Sequence, residues 1–552
     1  MPKQIGVILS GSTTISAPCQ LLEDAERGVR EGMFVIIKTR LAKNEVKILG
    51  RVTNLRAYNE FFEEGDVWSE ARRKGKIIPE EIARRYVTCD IELLGTLPRL
   101  DDVKIPPSPG DQVFLLENSE EIFKEIKRKG EIYIDFGTLY GYEKAPIPLT
   151  IEAIPMHIGV IGVTGSGKSY TVGYLLEKLG NIRTEKGIFG FPAIIIDANG
   201  DYLDYYFESL EGRYRSGYTE IIRLVFPESF AAREDRNARK IKLDMNLLEP
   251  RELAELIMDF YKGAEQGSEL AITLLENVFD ELKYEGADMN LMLSDPDFYR
   301  SRIINRIDSI PREIAHSATK GAARRALDNF VKELRNNRLF AIESLKAVDY
   351  SFIDGITEYY KLAIFDYSTD GATGISVKLK QLVVAYLSII LYKRFVDYKM
   401  GRAGGGGTRY ALFIIEEAQY YCPNLKVYPV GSSVARKYLS LIATQGRKFG
   451  LSLLLITQRP LFVDPIVLSM LNTFIIHRVS PEDLGYLNRI LGGLPKVFKD
   501  KLTNLETGVA VITGQMLPVS FPILVRIPGE RKVKPKIGTC LLYTSPSPRD
   551  RG

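Results

Sequence analysis

The sequence predicts an α/β protein whose core is a predominantly parallel β-sheet, preceded by a small β-barrel and interrupted by a helical insertion. Residues 157–245 and 348–530, the two predicted parts of the core, alternate continuous apolar runs with helical stretches. Continuous apolarity is typical of parallel strands covered on both faces. Residues 1–105 contain short β-rich runs instead, and residues 246–347 show only helical spacing.

The barrel is predicted from four runs in residues 1–105: I-G-V-I-L-S, M-F-V-I-I-K-T, V-K-I-L-G-R-V and V-T-C-D-I-E-L-L-G. Short, evenly spaced strands favour a small barrel or sandwich. A charged stretch at residues 71–85 interrupts them, and we favour a solvated loop and helix there over a nucleic-acid contact. The proline-rich segment Lys104–Gly110 marks a boundary. Residues 106–156 are predicted as a linker with the strands that lead into the core.

Two later segments are assigned from composition. The apolar stretch Leu382–Tyr392 is too short to span a bilayer, so it is predicted as a buried core helix. Residues 531–552 are predicted as a basic tail. The end of this tail, Cys540–Gly552, resembles a translated vector end and is excluded from the functional argument.

Charge and cysteine usage narrow the class of protein. The formal net charge of the 552 residues is only +4, so a DNA-binding surface would have to be local. Cys19, Cys89, Cys422 and Cys540 lie far apart, which favours neither a disulfide framework nor a zinc site and fits a reducing cytoplasm. The three histidines are too scattered to predict a metal cluster. The amino terminus lacks a signal-peptide pattern, and no membrane association is expected.

A phosphate-binding loop is the most informative motif. The segment G-V-T-G-S-G-K-S follows the apolar run I-G-V-I and precedes a helical stretch, and this order distinguishes the loop from a simple glycine turn. Backbone N–H groups and the start of the helix would surround a β-phosphate. Lys168 would reach the β- and γ-oxygens, and Ser169 would ligate Mg²⁺. The predicted nucleotide contacts are Gly162, Thr164, Gly165, Ser166, Gly167, Lys168, Ser169 and Tyr170.

A second motif, Y-A-L-F-I-I-E-E-A-Q, is an apolar strand that ends in two carboxylates. A pair of glutamates at a strand end is usually a solvated turn, but downstream of a phosphate-binding loop the catalytic interpretation is favoured. Glu416 would hold Mg²⁺ through water, and Glu417 would polarise the attacking water. A water-activating carboxylate favours hydrolysis over transfer to a small hydroxyl.

Three further groups have less specific patterns. Gln458 ends the next apolar strand and would sense the γ-phosphate. Arg447 and Lys448 end a helix, where they would either complement the helix dipole or supply an arginine finger to a neighbouring subunit. Physical reasoning from the residues favours neither interpretation over the other. Asp197 and Asp201 would either orient the water shell of the metal or form an Asx-type turn.

These motifs resemble those of the HerA helicases, in the HerA/FtsK superfamily of ring-forming translocases. The resemblance runs from the predicted barrel to about residue 528. It is carried by H-I-G-V-I-G-V-T-G-S-G-K-S-Y-T-V, D-A-N-G-D-Y and I-I-E-E-A-Q. The most specific part is Q-G-R-K-F-G-L-S-L-L-L-I-T-Q-R-P, because phosphate-loop proteins in general lack it.

The resemblance implies a RecA-like P-loop ATPase core in a homohexameric ring, which hydrolyses ATP with Mg²⁺ between subunits and moves double-stranded DNA through its pore. By position, it implies roles for six residues: nucleotide binding for Lys168 and Ser169, metal and water for Glu416 and Glu417, sensing for Gln458, and a finger acting in trans for Arg447. Family members typically act with a NurA-type nuclease in DNA end processing.

The chain departs from the family pattern at three places. Gln419 replaces the usual histidine, Met156 stands where some relatives carry an arginine, and the segment between Glu417 and Arg447 is longer than usual. These departures suggest a divergent member.

Two other functions stay open. One is a DNA-packaging or conjugation motor of a virus or mobile element, and the other is an ATP-switched, non-motor scaffold in a defence or regulatory complex. DNA-contacting pore residues are not identified: Lys320, Arg324 and Arg325 follow a helical pattern, for which a solvated face is the better interpretation.

Overall fold

The computed structural model describes residues 3–41, 44–59, 62, 69–76, 86–116, 123, 127, 130–142, 145–185, 187–262, 269–342, 347–403, 408–428 and 431–533. Its strands are β1 (Gln4–Ile8), β2 (Ser16–Leu21), β3 (Phe34–Leu41), β4 (Asn44–Tyr58), β5 (Tyr86–Thr96), β6 (Gln112–Leu115), β7 (Tyr133–Leu139), β8 (Pro146–Thr150), β9 (Ile158–Ile161), β10 (Ile182–Thr184), β11 (Gly187–Phe189), β12 (Ala193–Asp197), β13 (Ile221–Val225), β14 (Arg239–Lys240), β15 (Leu362–Asp366), β16 (Ala411–Ile415), β17 (Leu451–Thr457), β18 (Thr473–Ile476), β19 (Val509–Thr513) and β20 (Ile523–Arg526). Its α-helices are α1 (Ser69–Arg73), α2 (Lys168–Leu179), α3 (Leu203–Leu210), α4 (Ala231–Glu234), α5 (Pro250–Lys262), α6 (Glu269–Tyr284), α7 (Met289–Ser294), α8 (Pro296–Phe298), α9 (Asn305–Ser309), α10 (Ser317–Asn336), α11 (Tyr350–Glu358), α12 (Val377–Lys399), α13 (Arg436–Gln445), α14 (Pro465–Met470), α15 (Pro481–Ile490) and α16 (Lys496–Leu502).

These elements form two units, which are described separately. The first unit comprises Met1–Ile151, Pro495–Lys501 and Val509–Pro528. The second comprises Glu152–Leu494, Leu502–Gly508 and Gly529–Gly552.

The first unit contains the predicted barrel, which is closed in the strand order β1-β2-β5-β4-β3-β6. Alternate residues of β5 are buried, as expected when one face of a strand points into a core. Ile37, Ile48 and Ile91 are fully or almost fully buried there. The last strand, β6, lies beyond the predicted boundary at residue 105, because the proline-rich segment connects β5 to β6 within the barrel.

Two other parts of the first unit bear on the predictions. Strands β19, β20, β7 and β8 pair antiparallel in that order, so residues before the core supply complete sheet strands. In the charged stretch, helix α1 carries exposed ion pairs between Glu70 and the cations Arg73 and Lys74, which agrees with a solvated helix. Residues 77–85 of that stretch lie outside the described residues.

The second unit contains the predicted parallel sheet. Its strands follow the order β14-β13-β15-β12-β16-β17-β9-β18, and every pair among them is parallel. All residues of β9, β12, β15, β16, β17 and β18 are buried, which explains their unbroken apolar sequences. The carboxyl ends of β9, β12, β16 and β17 therefore meet along one edge, where parallel α/β sheets place their ligands.

The predicted insertion is helical in its described part and contains α5 to α10. The chain leaves and re-enters the sheet region at neighbouring points. Leu243, before the insertion, forms parallel bridges with Phe340, near the end of the insertion, and with Val348, which follows it. The backbone N–H of Leu243 also donates to the carbonyl of Leu339 at 2.7 Å. The insertion is therefore closed at its base by backbone hydrogen bonds.

The apolar stretch Leu382–Tyr392 lies within α12, and its residues up to Leu391 are buried. It is the buried core helix that the sequence predicts. Among the described residues, no helix combines the length and the apolar character needed to cross a bilayer.

Residues 531–533 differ from the prediction of a basic tail, because they pack against α2. The Arg531 guanidinium lies 5.1 Å from the centres of the Tyr170 and Tyr205 rings, in space left by the missing side chain of Gly173. The backbone N–H groups of residues 532 and 533 both donate to the carboxylate of Glu177. This carboxylate satisfies backbone donors that the tail could not satisfy by itself. Residues 534–552 lie outside the described part of the chain.

Candidate active site

The phosphate-binding loop joins β9 to α2. Gly165 and Gly167 have φ angles of 73° and 106°, which side chains rarely tolerate. Within the described residues, five backbone N–H groups of this segment donate no hydrogen bond: those of Thr164, Gly165, Gly167, Lys168 and Ser169. A run of free N–H groups at the start of a helix is a preformed anion site. The loop geometry thus fits the phosphates of a nucleotide.

Lys168 is buried at the base of this loop. Its Nζ donates to the carbonyl of Val163 at 3.0 Å. Burial lowers the pKa of the Lys168 ammonium, and the nearby carboxylates of Glu417, Glu416 and Asp201 oppose that effect. The ammonium therefore lies at the loop among acidic groups, where it can also bind the phosphates of a nucleotide.

Glu416 lies directly after β16 and is only 2% exposed. One carboxylate oxygen lies 3.4 Å from the Ser169 hydroxyl, which donates to it, and the other accepts from the N–H of Ala198 at 2.9 Å. Burial, together with the charges of neighbouring carboxylates, raises the pKa of Glu416 well above its usual range. A cation at this position would remove that unfavourable charge concentration.

The donor set beside the loop fits Mg²⁺ bound jointly with a nucleotide. Ser169 and Glu416 supply one hydroxyl and one carboxylate, whereas the described residues contain no cluster of three or more His, Cys, Asp or Glu side chains arranged around a metal. Mg²⁺ is commonly held by one or two protein oxygens together with phosphate oxygens and water. Ser169 and Glu416 would hold the ion in this way.

Glu417 follows Glu416 but has a different environment. Its backbone lies in the left-handed region, with φ 51° and ψ 50°. One carboxylate oxygen accepts from Gln458 Nε2 at 2.6 Å, and the other accepts from Gln419 Nε2 at 2.5 Å. Both oxygens of the predicted catalytic base are therefore engaged by side-chain amides.

Gln458 connects this carboxylate to the phosphate-binding loop. Its Nε2 donates to Glu417, while its Oε1 accepts from the Thr164 hydroxyl at 2.6 Å. The predicted sensor thus contacts both the base and the loop that would hold the phosphates. The sequence placed Gln458 at the end of the strand but contained no signal for these two contacts.

The two aspartates after β12 have different environments. The carboxylate of Asp197 accepts the N–H groups of Gly200, Asp201 and Tyr202, which lie three to five residues further on, so it stabilises the turn after β12 but not through the i+2 contact of an Asx turn. Burial raises the pKa of Asp197 to about 7. Asp201 is half-buried, and its charge acts on both Lys168 and Glu416. The structure thus gives Asp197 a role in the turn and places Asp201 near the loop.

Arg447 lies at the opposite edge of the sheet from the phosphate-binding loop. It is exposed, like Lys448, and precedes the first residue of β17, whereas Gln458 follows the last. The seven residues of that strand, at about 3.3 Å each, place roughly 20 Å between these positions. Arg447 therefore cannot reach the loop of the same chain.

The proposed nucleotide contact Tyr170 is half-buried in the first turn of α2, and the Arg531 guanidinium packs near its ring. The insertion residues considered as pore contacts make contacts within the insertion. Lys320 donates to the carbonyl of Asp308 at 3.0 Å, and Arg324 forms an ion pair with the carboxylate of Asp308. These contacts agree with the interpretation of Lys320 and Arg324 as helix-face residues.

Two histidines that sequence reasoning did not assign lie beside β9. His157 Nδ1 accepts from the N–H of Leu453 in β17 at 2.9 Å, and burial lowers the pKa of His157 to about 4. His477, which follows β18, forms a hydrogen bond of 2.9 Å with the Thr171 hydroxyl in α2. Both side chains fix the elements that carry the loop. In the sequence, their positions next to apolar strands were the available signal that these histidines are buried. Their hydrogen-bond partners are distant in the sequence and could not be identified from it.

Acidification is expected to destabilise the protein through His157. The unfolded state binds a proton near pH 6.5 and the folded state only near pH 4, so the stability contributed by the neutral ring is complete above pH 6.5 and is lost as the pH falls through this window. The loss at pH 5 should be about 2 kcal/mol. The His157→Gln variant keeps an acceptor for Leu453 but does not titrate. Its melting temperature should fall less between pH 7 and pH 5 than that of the wild type. If the melting temperatures of both proteins fell equally, protonation of His157 would not be the cause of the destabilisation.

Comparison with known proteins agrees with this geometry. Residues 134–389 match the family model described as "Helicase HerA, central domain". The chain is 26% identical over 529 residues to the DNA double-strand break repair helicase HerA of Sulfurisphaera tokodaii, covering 95% of this chain and 92% of the relative. It is 22% identical over 532 residues to the protein of the same name from Saccharolobus solfataricus, with the same coverage.

Two solved structures have partial similarity to this chain. The conjugative coupling protein TrwB is 13% identical, with a TM-score of 0.47 over 76% of this chain and 93% of that protein. VirB4 of Thermoanaerobacter pseudethanolicus is 14% identical, with a TM-score of 0.48 over 73% of this chain and 98% of that protein. The matched central domain, the relatives that span nearly the whole chain and the assembled phosphate-binding loop lead to one conclusion: this chain is similar to the HerA helicases over most of its length and is a P-loop ATPase.

Proposed function

We propose that this protein is a DNA translocase or helicase that hydrolyses ATP with Mg²⁺ at the interfaces of a homohexameric ring and moves double-stranded DNA through the central pore. The observation that carries the proposal is the distribution of charged groups. Lys168, Ser169, Glu416 and Glu417 gather at the carboxyl edge of the sheet, while Arg447 is exposed at the other edge. Such a division suits a site that two subunits complete.

In the proposed reaction, the free N–H groups of the loop and the Lys168 ammonium bind the phosphates and balance their charge. Ser169 and Glu416 would hold Mg²⁺, which would supply positive charge to balance the phosphoryl oxygens. Glu417 accepts the proton of the water that attacks the γ-phosphorus, while the bond from that phosphorus to the β–γ bridging oxygen breaks, so that inorganic phosphate forms and ADP leaves. Gln458 contacts both Glu417 and the loop, so its hydrogen bonds can register the loss of phosphate.

A neighbouring subunit would supply Arg447 to the transferring phosphoryl group. The distance along β17 excludes the same subunit as its source, and exposure leaves the guanidinium available. A planar guanidinium can donate two hydrogen bonds to one phosphoryl group, which suits the charge that develops there.

Duplex DNA as the substrate is supported by the relatives, which are named as DNA double-strand break repair helicases. We propose that the protein acts in the cytoplasm in the processing of DNA ends, with a NurA-type nuclease as its partner. The DNA contacts would be made mainly to phosphates, so binding should depend strongly on salt and little on base sequence.

Linear duplex DNA is therefore expected to stimulate ATP hydrolysis by the full-length protein, and the stimulation should decline as the salt concentration rises because it depends on phosphate contacts. The measurement is steady-state phosphate release with and without duplexes of unrelated sequence. Lys168→Ala supplies the inactive control, and sedimentation analysis with nucleotide and DNA measures ring size.

A wild-type rate that is indifferent to DNA would contradict the translocase and support an ATP-switched scaffold. Recovery of tagged protein from its native cells separates the remaining possibilities. A NurA-type nuclease in the complex supports DNA end processing, whereas capsid or relaxosome components support a packaging or conjugation motor.

A further inference from the structure

The two amides that hold Glu417 differ in how firmly they are fixed. Gln419 is only 8% exposed and lies next to buried β17, whereas Gln458 is half-buried and faces the phosphate-binding loop. This asymmetry indicates different roles for two residues that make the same kind of hydrogen bond to the same carboxylate.

The orientation of Gln419 is determined by its neighbours. The Thr457 hydroxyl donates to Gln419 Oε1 at 2.8 Å, and that hydroxyl in turn accepts from the N–H of Arg459 at 3.2 Å. The hydroxyl accepts from Arg459 through one of its lone pairs and gives its single proton to Gln419 Oε1, so that Gln419 Nε2 is the group that faces Glu417. The strand end thus fixes one carboxylate oxygen.

The amide of Gln458 can exchange its hydrogen-bond partners. Its Oε1 accepts from Thr164, a residue of the loop whose own backbone N–H is free for a phosphate. A γ-phosphate presents strong acceptors to the Gln458 amide, because hydrogen bonds to ionised groups are stronger than those between neutral groups. Transfer of the Gln458 N–H from Glu417 to phosphate would expose one carboxylate oxygen to water.

We propose that Gln419 is a positioning residue for ATP hydrolysis: it anchors one oxygen of Glu417 throughout the cycle, so that release of the other oxygen by Gln458 leaves the base aimed at the attacking water. This inference rests on the proposed hydrolytic function of Glu417. It assigns a role to the position at which the chain departs from the histidine usual in the family.

Gln419→Leu tests the proposal in the full-length protein, because leucine keeps the approximate volume but removes both hydrogen bonds. We expect kcat to fall by about 10- to 100-fold, as for a small misplacement of a catalytic group, while the KM for ATP changes little. Gln419→His, whose ring N–H can donate to Glu417, should restore most of kcat.

Gln381→Leu is the matched control. Gln381 is 9% exposed and donates one hydrogen bond to the carbonyl of Tyr420 at 2.6 Å, so its replacement disturbs the same region but does not touch Glu417. Its kcat should stay near that of the wild type, and melting curves of both leucine variants measure any general loss of stability.

A double-mutant cycle identifies the route of action. Because Gln419 acts through Glu417, Gln419→Leu should have little further effect on kcat in a Glu417→Gln background. An equal fold-loss in both backgrounds, or an unchanged kcat in the single variant, would overturn the proposal. Absence of ATP hydrolysis by the wild type would instead contradict the proposed function itself.

Discussion

Replacing Glu417 by glutamine should lower kcat for ATP hydrolysis by about 10²- to 10⁴-fold, the usual contribution of a general base. Glutamine has nearly the same shape but cannot take a proton from water. Nucleotide affinity should persist, because the free N–H groups and Lys168 lie on the loop rather than on the strand that carries Glu417. Single-turnover hydrolysis and binding of a fluorescent ATP analogue measure the two effects separately.

Glu281→Gln provides the control for this change. Its side chain is 67% exposed on α6 of the insertion, so loss of its charge should not alter hydrolysis. If Glu417→Gln hydrolysed ATP at the wild-type rate, water activation would have to be assigned to another group, and the scaffold function would become the better account.

Replacing Arg447 by alanine should abolish most hydrolysis, because an arginine finger is worth about 10³- to 10⁵-fold in kcat. Lys168→Ala should be equally inactive for a different reason, since it impairs phosphate binding. Mixing the two inactive proteins is expected to restore part of the activity. Some interfaces then combine an intact loop from one subunit with an intact Arg447 from its neighbour.

Lys448→Ala tests whether position or charge matters in this experiment. Lys448 is also exposed and is adjacent in sequence, so a general electrostatic effect would be shared by both residues. We expect a much smaller effect from Lys448→Ala. If mixtures of the two inactive variants assembled into rings yet recovered no activity, a role for Arg447 across the interface would be contradicted.

The elements that carry the site were predictable because local signals and the overall fold agree. Strands β9, β16 and β17 are covered on both faces, so their sequences are uninterrupted apolar runs, and the residues that follow them had to meet at one edge. Glycines at positive φ marked the loop. The placement of Lys168, Ser169 and Glu416 in one site follows from these features.

The hydrogen-bond network around Glu417 was not predictable in the same way. Gln419 follows it by two residues, but the direction of its amide depends on Thr457, which lies on another strand. Arg531 was assigned to a tail because its sequence neighbours are basic, whereas its contacts are with rings on α2 and α3. Such contacts join positions far apart in the chain, and a single sequence records only their residue types.

The bridges of Leu243 with Phe340 and Val348 hold the two ends of the helical insertion close together. The backbone leaves and re-enters the sheet region at adjacent points, so the insertion behaves as a closed loop. The entropic cost of closing such a loop grows only with the logarithm of the number of residues in it, and a longer insertion would therefore destabilise the sheet little. The sheet that carries the ATPase site can therefore stay unchanged while the helical insertion evolves to bind new partners.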